Sequence, residues 1–350
     1  NDPEVFLSIT FDVDKLPLYG TRITTTDTTA AGYNSIIDPA CYTPRSAWEW
    51  QEGNCLMDWD ADAELLRVTY KSGDRWYRNH FQKKGINETF TILGWGYGDA
   101  INDPVLNNLM PVQYAEVSDR SNPNSDYIAP IQTEAINNPD PGLDTVISLS
   151  GTHGSDGSGG GNPTAESRLV EIFVDDVRLD QSVSRIAICK KVRVSTVNGV
   201  QSWNTLTTQR ITSLEHITFD VGAHGLWTHK ALTALEPIRV GKDNGCQAYP
   251  AGITPATATS YLMWGSAQTS RVNFAGVQFA SGPKSDYPKV YGVTIRYSVT
   301  GDFSVWMDIN YGVGSRTYLS DDSPMMEYPN INGKIYHRNI DQANGFVLDT

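Results

Sequence analysis

This sequence predicts an all-β fold: an antiparallel β-sandwich of jelly-roll type, with long loops and few short helices. Three observations carry that prediction. Apolar and polar residues alternate strictly over several short stretches, which is the period of a strand buried on one face. The 350 residues include 30 Gly and 18 Pro, and these punctuate the alternating runs. Charged residues make up only 19% of the chain against 39% hydrophobic, with Thr, Ser, Asn, Tyr and Trp plentiful, a strand-and-loop composition. Strands in runs with no helical pattern between them stack as a sandwich or jelly roll.

The elements follow in order. Val5 to Val13 alternates and reads as the first strand, followed by the polar stretch "GTRITTTDTTAAGYNS". Glu64 to Lys71 reads as a strand, Ser72-Gly73-Asp74 as a turn, and "RWYRNHF" as a returning basic-aromatic strand. "TFTILGWGYGD" and "LMPVQYAEVSD" give two more. From Asn137 to Thr164 turn residues dominate, and Gly154 to Gly161 is too rich in Gly and Ser to pack a core. Strands resume at Arg168 to Val174 (within a stretch that also has partial helical spacing), Ser184 to Ser195, His216 to Val221 and Arg271 to Phe279. The clearest signal is "YGVTIRYSVTGDFSVWMDIN", which predicts a hairpin turning at Gly301 and Asp302. "ITFDV" occurs at Ile9 to Val13 and again at Ile217 to Val221, too short a match to establish a duplication. The predicted organisation is a jelly-roll sandwich over 1–311, with a flexible loop at 151–164 and a C-terminal extension at 312–350. The alternative is two sandwiches, 1–150 and 165–350.

A net charge of −13 and a pI near 4.8 argue against a compact basic nucleic-acid module. No apolar run approaches the roughly 20 residues that span a bilayer, and "NDPEVFLSITFDV" has no signal-peptide pattern. Cys41, Cys55, Cys189 and Cys246 fit no zinc spacing. Cys41 and Cys55 are spaced to close a loop by disulfide, and four buried free thiols are the competing reading. Asn87-Glu88-Thr89 is a single glycosylation sequon.

The chemistry-bearing residues are few. "DWDADAE" places Asp58, Asp60 and Asp62 at alternate positions, an oxygen-rich pattern that suits calcium, the one cofactor the residues suggest. Ala63 and Thr69 stand where a helix-loop-helix calcium motif needs Gly and Glu. On a strand the same spacing is a solvated acidic face. His216, His224 and His229 lie close in sequence and could ligate a metal, with accident as the alternative. Two basic clusters stand against the acidic background: Arg67, Lys71, Arg75, Arg78, Lys83 and Lys84, and then "ICKKVRV". In the second, Lys190, Lys191 and Arg193 are candidates to face nucleic acid, or else to pair with the many acids. Trp48, Trp50, Trp59, Trp76, Trp95 and Tyr97 could form a sugar-stacking platform, or serve as core anchors. No nucleophile elbow or phosphate loop is present, and no pair of carboxylates is singled out for glycoside hydrolysis. The chain reads as a non-enzyme.

"LMPVQYAEVSDRSNPNSDYIAPIQTE" (Leu109 to Glu134) resembles the strand and acidic turn of small icosahedral virus coat proteins. "YLMWGSAQTSRVNFAGVQFASGPKSDYPKVYGVTIRYSVTGDFSVWMD" (Tyr261 to Asp308) resembles their closing strands. The nearest comparison is the jelly-roll capsid protein of circular-DNA viruses and nodavirus-like viruses. The resemblance implies a virion subunit that self-assembles in many copies into an icosahedral shell, with exposed loops attaching to a host glycan or receptor. It also implies an Arg/Lys-rich arm ahead of Asn1 to hold a packaged nucleic acid. The alternative is a secreted or cell-surface bacterial β-sandwich adhesin or carbohydrate-binding protein, which "EVFLSITFDV" followed by "GTRITTTD" also resembles.

Overall fold

The structure is a computed structural model and describes residues 18–19, 54–72, 75–84, 87–98, 131–142, 163–223, 225–243, 245, 247–248, 258–264, 270–273, 280–283, 292–297, 301–306, 324–328, 335–337 and 340–350. The strands among these described residues form five antiparallel sheets. Sheet I contains β1 (Leu18–Tyr19), β2 (Cys55–Asp60), β3 (Leu65–Ser72), β4 (Arg75–Lys84), β5 (Thr89–Gly98) and β9 (Arg185–Cys189), in the order β1-β9-β2-β3-β4-β5. Sheet II contains β7 (Ala165–Val174), β8 (Val177–Arg178), β10 (Lys191–Gln201), β11 (Ile211–Gly222) and β12 (Gly225–Ala234), in the order β12-β11-β10-β7-β8. Sheet III joins β6 (Ile131–Ala135), β13 (Ile238–Asp243) and β22 (Ile340–Leu348). Sheet IV joins β14 (Gln247–Ala248), β17 (Ala280–Pro283), β20 (Pro324–Tyr328) and β21 (Ile335–His337). Sheet V joins β15 (Ala258–Trp264), β16 (Val272–Asn273), β18 (Gly292–Tyr297) and β19 (Gly301–Trp306). A 3-10 turn at Trp203–Thr205 is the single helical element among the described residues. The all-β, antiparallel, sandwich-like expectation therefore holds.

Sheets I and II face each other across the main core. Met57, Trp59, Leu66, Val68, Phe81 and Ile92 come from one side, and Ile172, Val192, Val194, Ile217, Phe219 and Val221 from the other. Phe81 meets Phe219 edge-on across the gap, with centroids 5.4 Å apart and rings inclined at 63°. Such a pair adds about 0.5–1.5 kcal/mol beyond its buried area. The alternation read in the sequence is what fills this core: every second residue of β10 and β11 points inward. A second cluster, Ile131, Ile238, Val240 and Ile340 with Leu232 and Ala234 of β12, seats sheet III beside sheet II. Lys230 bridges the same junction, with its Nζ 2.9 Å from Asp243 and 3.4 Å from the fully buried Glu215.

Three sequence expectations change. The strand expected over Ser184 to Ser195 is two strands: β9 belongs to sheet I and β10 to the facing sheet II, with Lys190 between them. The crossing explains why Cys189 and Val192, three positions apart, both enter one core. Asp175 holds the corner, its Oδ1 accepting the N–H of Lys190 at 2.9 Å and of Lys191 at 3.0 Å. The partial helical spacing before it is the hairpin β7–β8, turned by Asp175 and Asp176 at φ 48° and 67°. Two consecutive left-handed residues make the tight turn whose twist matches a hairpin. In the third case, Gly301 and Asp302 are ladder residues opposite Tyr297 and Arg296, and the connection lies in 298–300.

Strand pairing also crosses both proposed domain boundaries. The segment 312–350, expected as an extension, supplies β20, β21 and β22 to sheets built with earlier strands. The alternative split at 150/165 is crossed by β2–β9 and β6–β13. The first strand at 5–13, the segment 109–119 and residues 151–162 of the expected loop lie outside the described residues.

Candidate functional site

The face of sheet II turned away from the core is a continuous surface among the described residues. Inward residues of β10 are buried, so Lys191, Arg193, Ser195 and Val197 point outward. Cross-strand register extends Arg193 into one row over the five strands: Trp227, Asp220, Arg193, Phe173, Arg178. Trp227 is 56% exposed. At about 4.8 Å per strand, Trp227 and Phe173 stand roughly 14 Å apart with the Arg193–Asp220 pair between them. Below this row lie His229, Thr218, Ser195 and Glu171, then Ala231, His216, Val197 and the exposed Leu169.

Every cation placed on this face is matched with a carboxylate. Arg193 grips Asp220 with two nitrogens, at 2.8 and 3.2 Å. Lys191 reaches Asp176 at 2.8 Å, Arg178 reaches Glu171 at 3.1 Å, and Arg168 reaches Glu166 at 2.9 Å. The hydrogen bonds and charge of Asp220 hold the Arg193 guanidinium above its ordinary pKa, and the hydrogen bond from Lys191 draws Asp176 below the ordinary carboxylate range. The face is therefore locally neutral on a chain of charge −13.

Of the residues expected to face nucleic acid, Lys191 and Arg193 do share this outer face, while Lys190 is exposed at the β9–β10 corner. A phosphate reaching Lys191 or Arg193 here would first have to displace Asp176 or Asp220. The three aspartates read for calcium diverge. Asp58 lies on β2, 2.5 Å from Arg67, and burial pushes its carboxyl up despite the opposing Arg67 and Arg78 charges. The Oδ1 of Asp60 accepts the N–H groups of Asp62 and Ala63, making a turn at the strand end. Among the described residues no three His, Cys, Asp or Glu side chains gather closely enough to hold a metal ion. His216 and His229 are diagonal neighbours on the outer face of sheet II, and His224 lies outside the described residues.

The first basic cluster separates. Lys83 pairs with Glu64, whereas Arg78 is fully buried, donating from Nε to Thr69 Oγ1 at 2.8 Å. Trp59 is a core residue, with its Nε1 donating to the Gln181 carbonyl, so it is no platform. Trp48 and Trp50 lie outside the described residues, as do the side chains of Trp76, Trp95 and Tyr97. Cys55 and Cys189 are buried free thiols, and Cys41 lies outside the described residues. The sequon asparagine, Asn87, is also buried: its Oδ1 accepts the N–H groups of Thr164 and Ala165 at 2.7 and 3.0 Å and so starts β7.

Sequence reading missed Trp227, Phe173, Glu171 and Arg178 as site residues. Of the residues singled out from the sequence, Lys191, Arg193, His216 and His229 lie on this face. No protein family matches the chain, and comparison with curated proteins and with solved structures found no match.

Proposed function

We propose that this chain is a structural subunit that works by contact with copies of itself, a capsid-type shell protein, and that the outer face of sheet II is one of its contact faces. The observation that carries the reading is the neutrality of that face. Copies of a chain bearing −13 repel one another unless they meet where charge is locally cancelled. Here four cations are matched by four carboxylates around exposed Trp227 and Leu169. Aromatic and Arg side chains are the residue types enriched in protein contacts. Four strands of about ten residues give roughly 600 Å² in plan, approaching the ~800 Å² per partner of a standard interface. The segment resembling coat-protein closing strands, Tyr261 to Asp308, supplies strands to sheets IV and V and none to sheet II.

Sedimentation velocity and negative-stain microscopy over a range of concentrations test the proposal. The wild type is expected to form closed particles or discrete oligomers. Trp227→Asp with Leu169→Asp is expected to shift it toward monomer with its melting temperature unchanged. A monodisperse monomer at every concentration, or full assembly by the double variant, overturns the reading.

A second reading, a carbohydrate-binding surface protein, is favoured by one observation: the exposed Trp227 indole beside the Asp220–Arg193 pair, an apolar face next to polar groups that suit a sugar. A glycan-array signal from the wild type that vanishes in Trp227→Ala, in protein that stays monomeric, selects it.

A further inference from the structure

We propose that Cys55 and Cys189 form a cross-strand disulfide site that staples β2 to β9 inside the main core. The two residues are direct register partners in the antiparallel β2–β9 pair. Directly opposed residues have Cα atoms about 4.5–5.5 Å apart, inside the 4.4–6.8 Å range a disulfide bridges. Both side chains take the core face, and both are fully buried in the same cluster. The Cys55 thiol donates to the carbonyl of Lys190 at 3.6 Å, which places its sulfur against the residue that follows Cys189. Loop closure toward Cys41, the pairing that spacing suggests, is thus replaced by a partner far along the chain.

The chemistry is a two-electron oxidation with a low-molecular-weight disulfide, such as oxidised glutathione, as oxidant. One protein thiol loses its proton and attacks that disulfide, giving a mixed disulfide and releasing one small thiol. The second protein thiolate then attacks the protein sulfur of the mixed disulfide and releases the other small thiol. One S–S bond forms in the protein and one is lost in the oxidant, with two protons and two electrons passing to the two released thiols. Burial raises both thiol pKa values, that of Cys55 to about 12, so the folded protein resists this exchange. The bond therefore forms while β2 and β9 assemble, and once formed is shielded from reductant.

The test uses the full chain with Cys41→Ser and Cys246→Ser, which leaves only the pair. The protein is unfolded and refolded with reduced and oxidised glutathione, and in parallel with excess dithiothreitol. Free thiols are then alkylated in denaturant, and peptides are mapped by mass spectrometry. The expected result is complete loss of free thiol after oxidative refolding, a Cys55–Cys189 linked peptide, and a melting temperature several degrees above the reduced form. The wild type, mapped the same way, is expected to give the same linked peptide, which guards against an effect of the serines. Two alkylatable thiols after oxidative refolding into folded protein overturn the proposal. So does a wild-type map in which Cys55 is joined to Cys41 or Cys246.

Discussion

At the residue scale, the interior is organised by side-chain amides that stand in for backbone. Asn204, in the buried 3-10 turn, accepts the Ala135 N–H at 2.8 Å and donates to the Ala135 carbonyl at 2.9 Å, so it pairs with the end of β6 as another strand would. Asp140 returns to the same turn, its N–H donating to the Asn204 carbonyl and its carboxylate accepting from Thr208. Replacing Asn204 by Ala orphans one buried donor and one buried acceptor. Each orphan costs about 1–3 kcal/mol, so the variant is expected to lose about 2–6 kcal/mol in urea unfolding with an unchanged m-value. Asn204→Asp keeps the acceptor and loses the donor, and should fall between. A loss under 0.5 kcal/mol for Asn204→Ala would mean that water replaces the amide. None of this was legible in the sequence, which is full of Asn in turn-like stretches. What separates Asn204 from those is burial beside a strand far away in the chain.

At the element scale, Asp175 sets the geometry of two connections together. It is the first left-handed residue of the β7–β8 turn, and its carboxylate fixes the Lys190 corner where the chain passes between sheets. Asp175→Ala removes the acceptor and places a β-carbon without compensation at positive φ, so it should cost about 1–3 kcal/mol. Asp175→Asn keeps an accepting oxygen and tolerance of that φ, and should stay within about 1 kcal/mol of wild type. Equal losses for the two in chemical denaturation would assign the effect to charge and contradict this account. The strands themselves were largely legible: β3, β4, β5, β7, β11 and the β18–β19 pair all fall where alternation placed them. Their connections were not. A two-residue turn at Gly301-Asp302 pairs odd-numbered with even-numbered positions, setting Val299 against Ser304. The observed register pairs Ile295 with Phe303 and Val293 with Val305, apolar side against apolar side. Parity alone could have excluded the shorter turn, whereas nothing local marks Lys190 as the point where the chain changes sheets.

At the scale of the whole molecule, the core joins segments distant in sequence and the candidate face depends on the register of successive hairpins, so neither the Cys55–Cys189 pairing nor the row Trp227–Asp220–Arg193–Phe173–Arg178 was readable before the sheets were known. The same assembly has a consequence for stability at high pH. Cys55, Cys189 and Tyr70 lie together in or against the main core, with Asp175 acting on both thiols. Burial, the largest cause in each case, raises all three pKa values, and Cys55 reaches about 12 from an ordinary 9.0. The folded state keeps these protons after the unfolded chain has begun to release them. The sign follows from linkage: between the unfolded and folded pKa values the native state binds more protons, so stability falls as pH rises. The contribution is fully present below about pH 9 and is lost progressively toward pH 12, at about 1.4 kcal/mol per unit of pKa difference. Melting temperature should therefore drop between pH 8 and pH 10.5 in reduced protein. Lysine titration contributes to any such drop, so the decisive comparison is of slopes. Cys55→Ala with Cys189→Ala, whatever its stability at pH 8, should lose less between the two pH values than wild type. If the two slopes coincide, the thiols do not hold their protons in the folded state and the packing of β2 against β9 is looser than drawn.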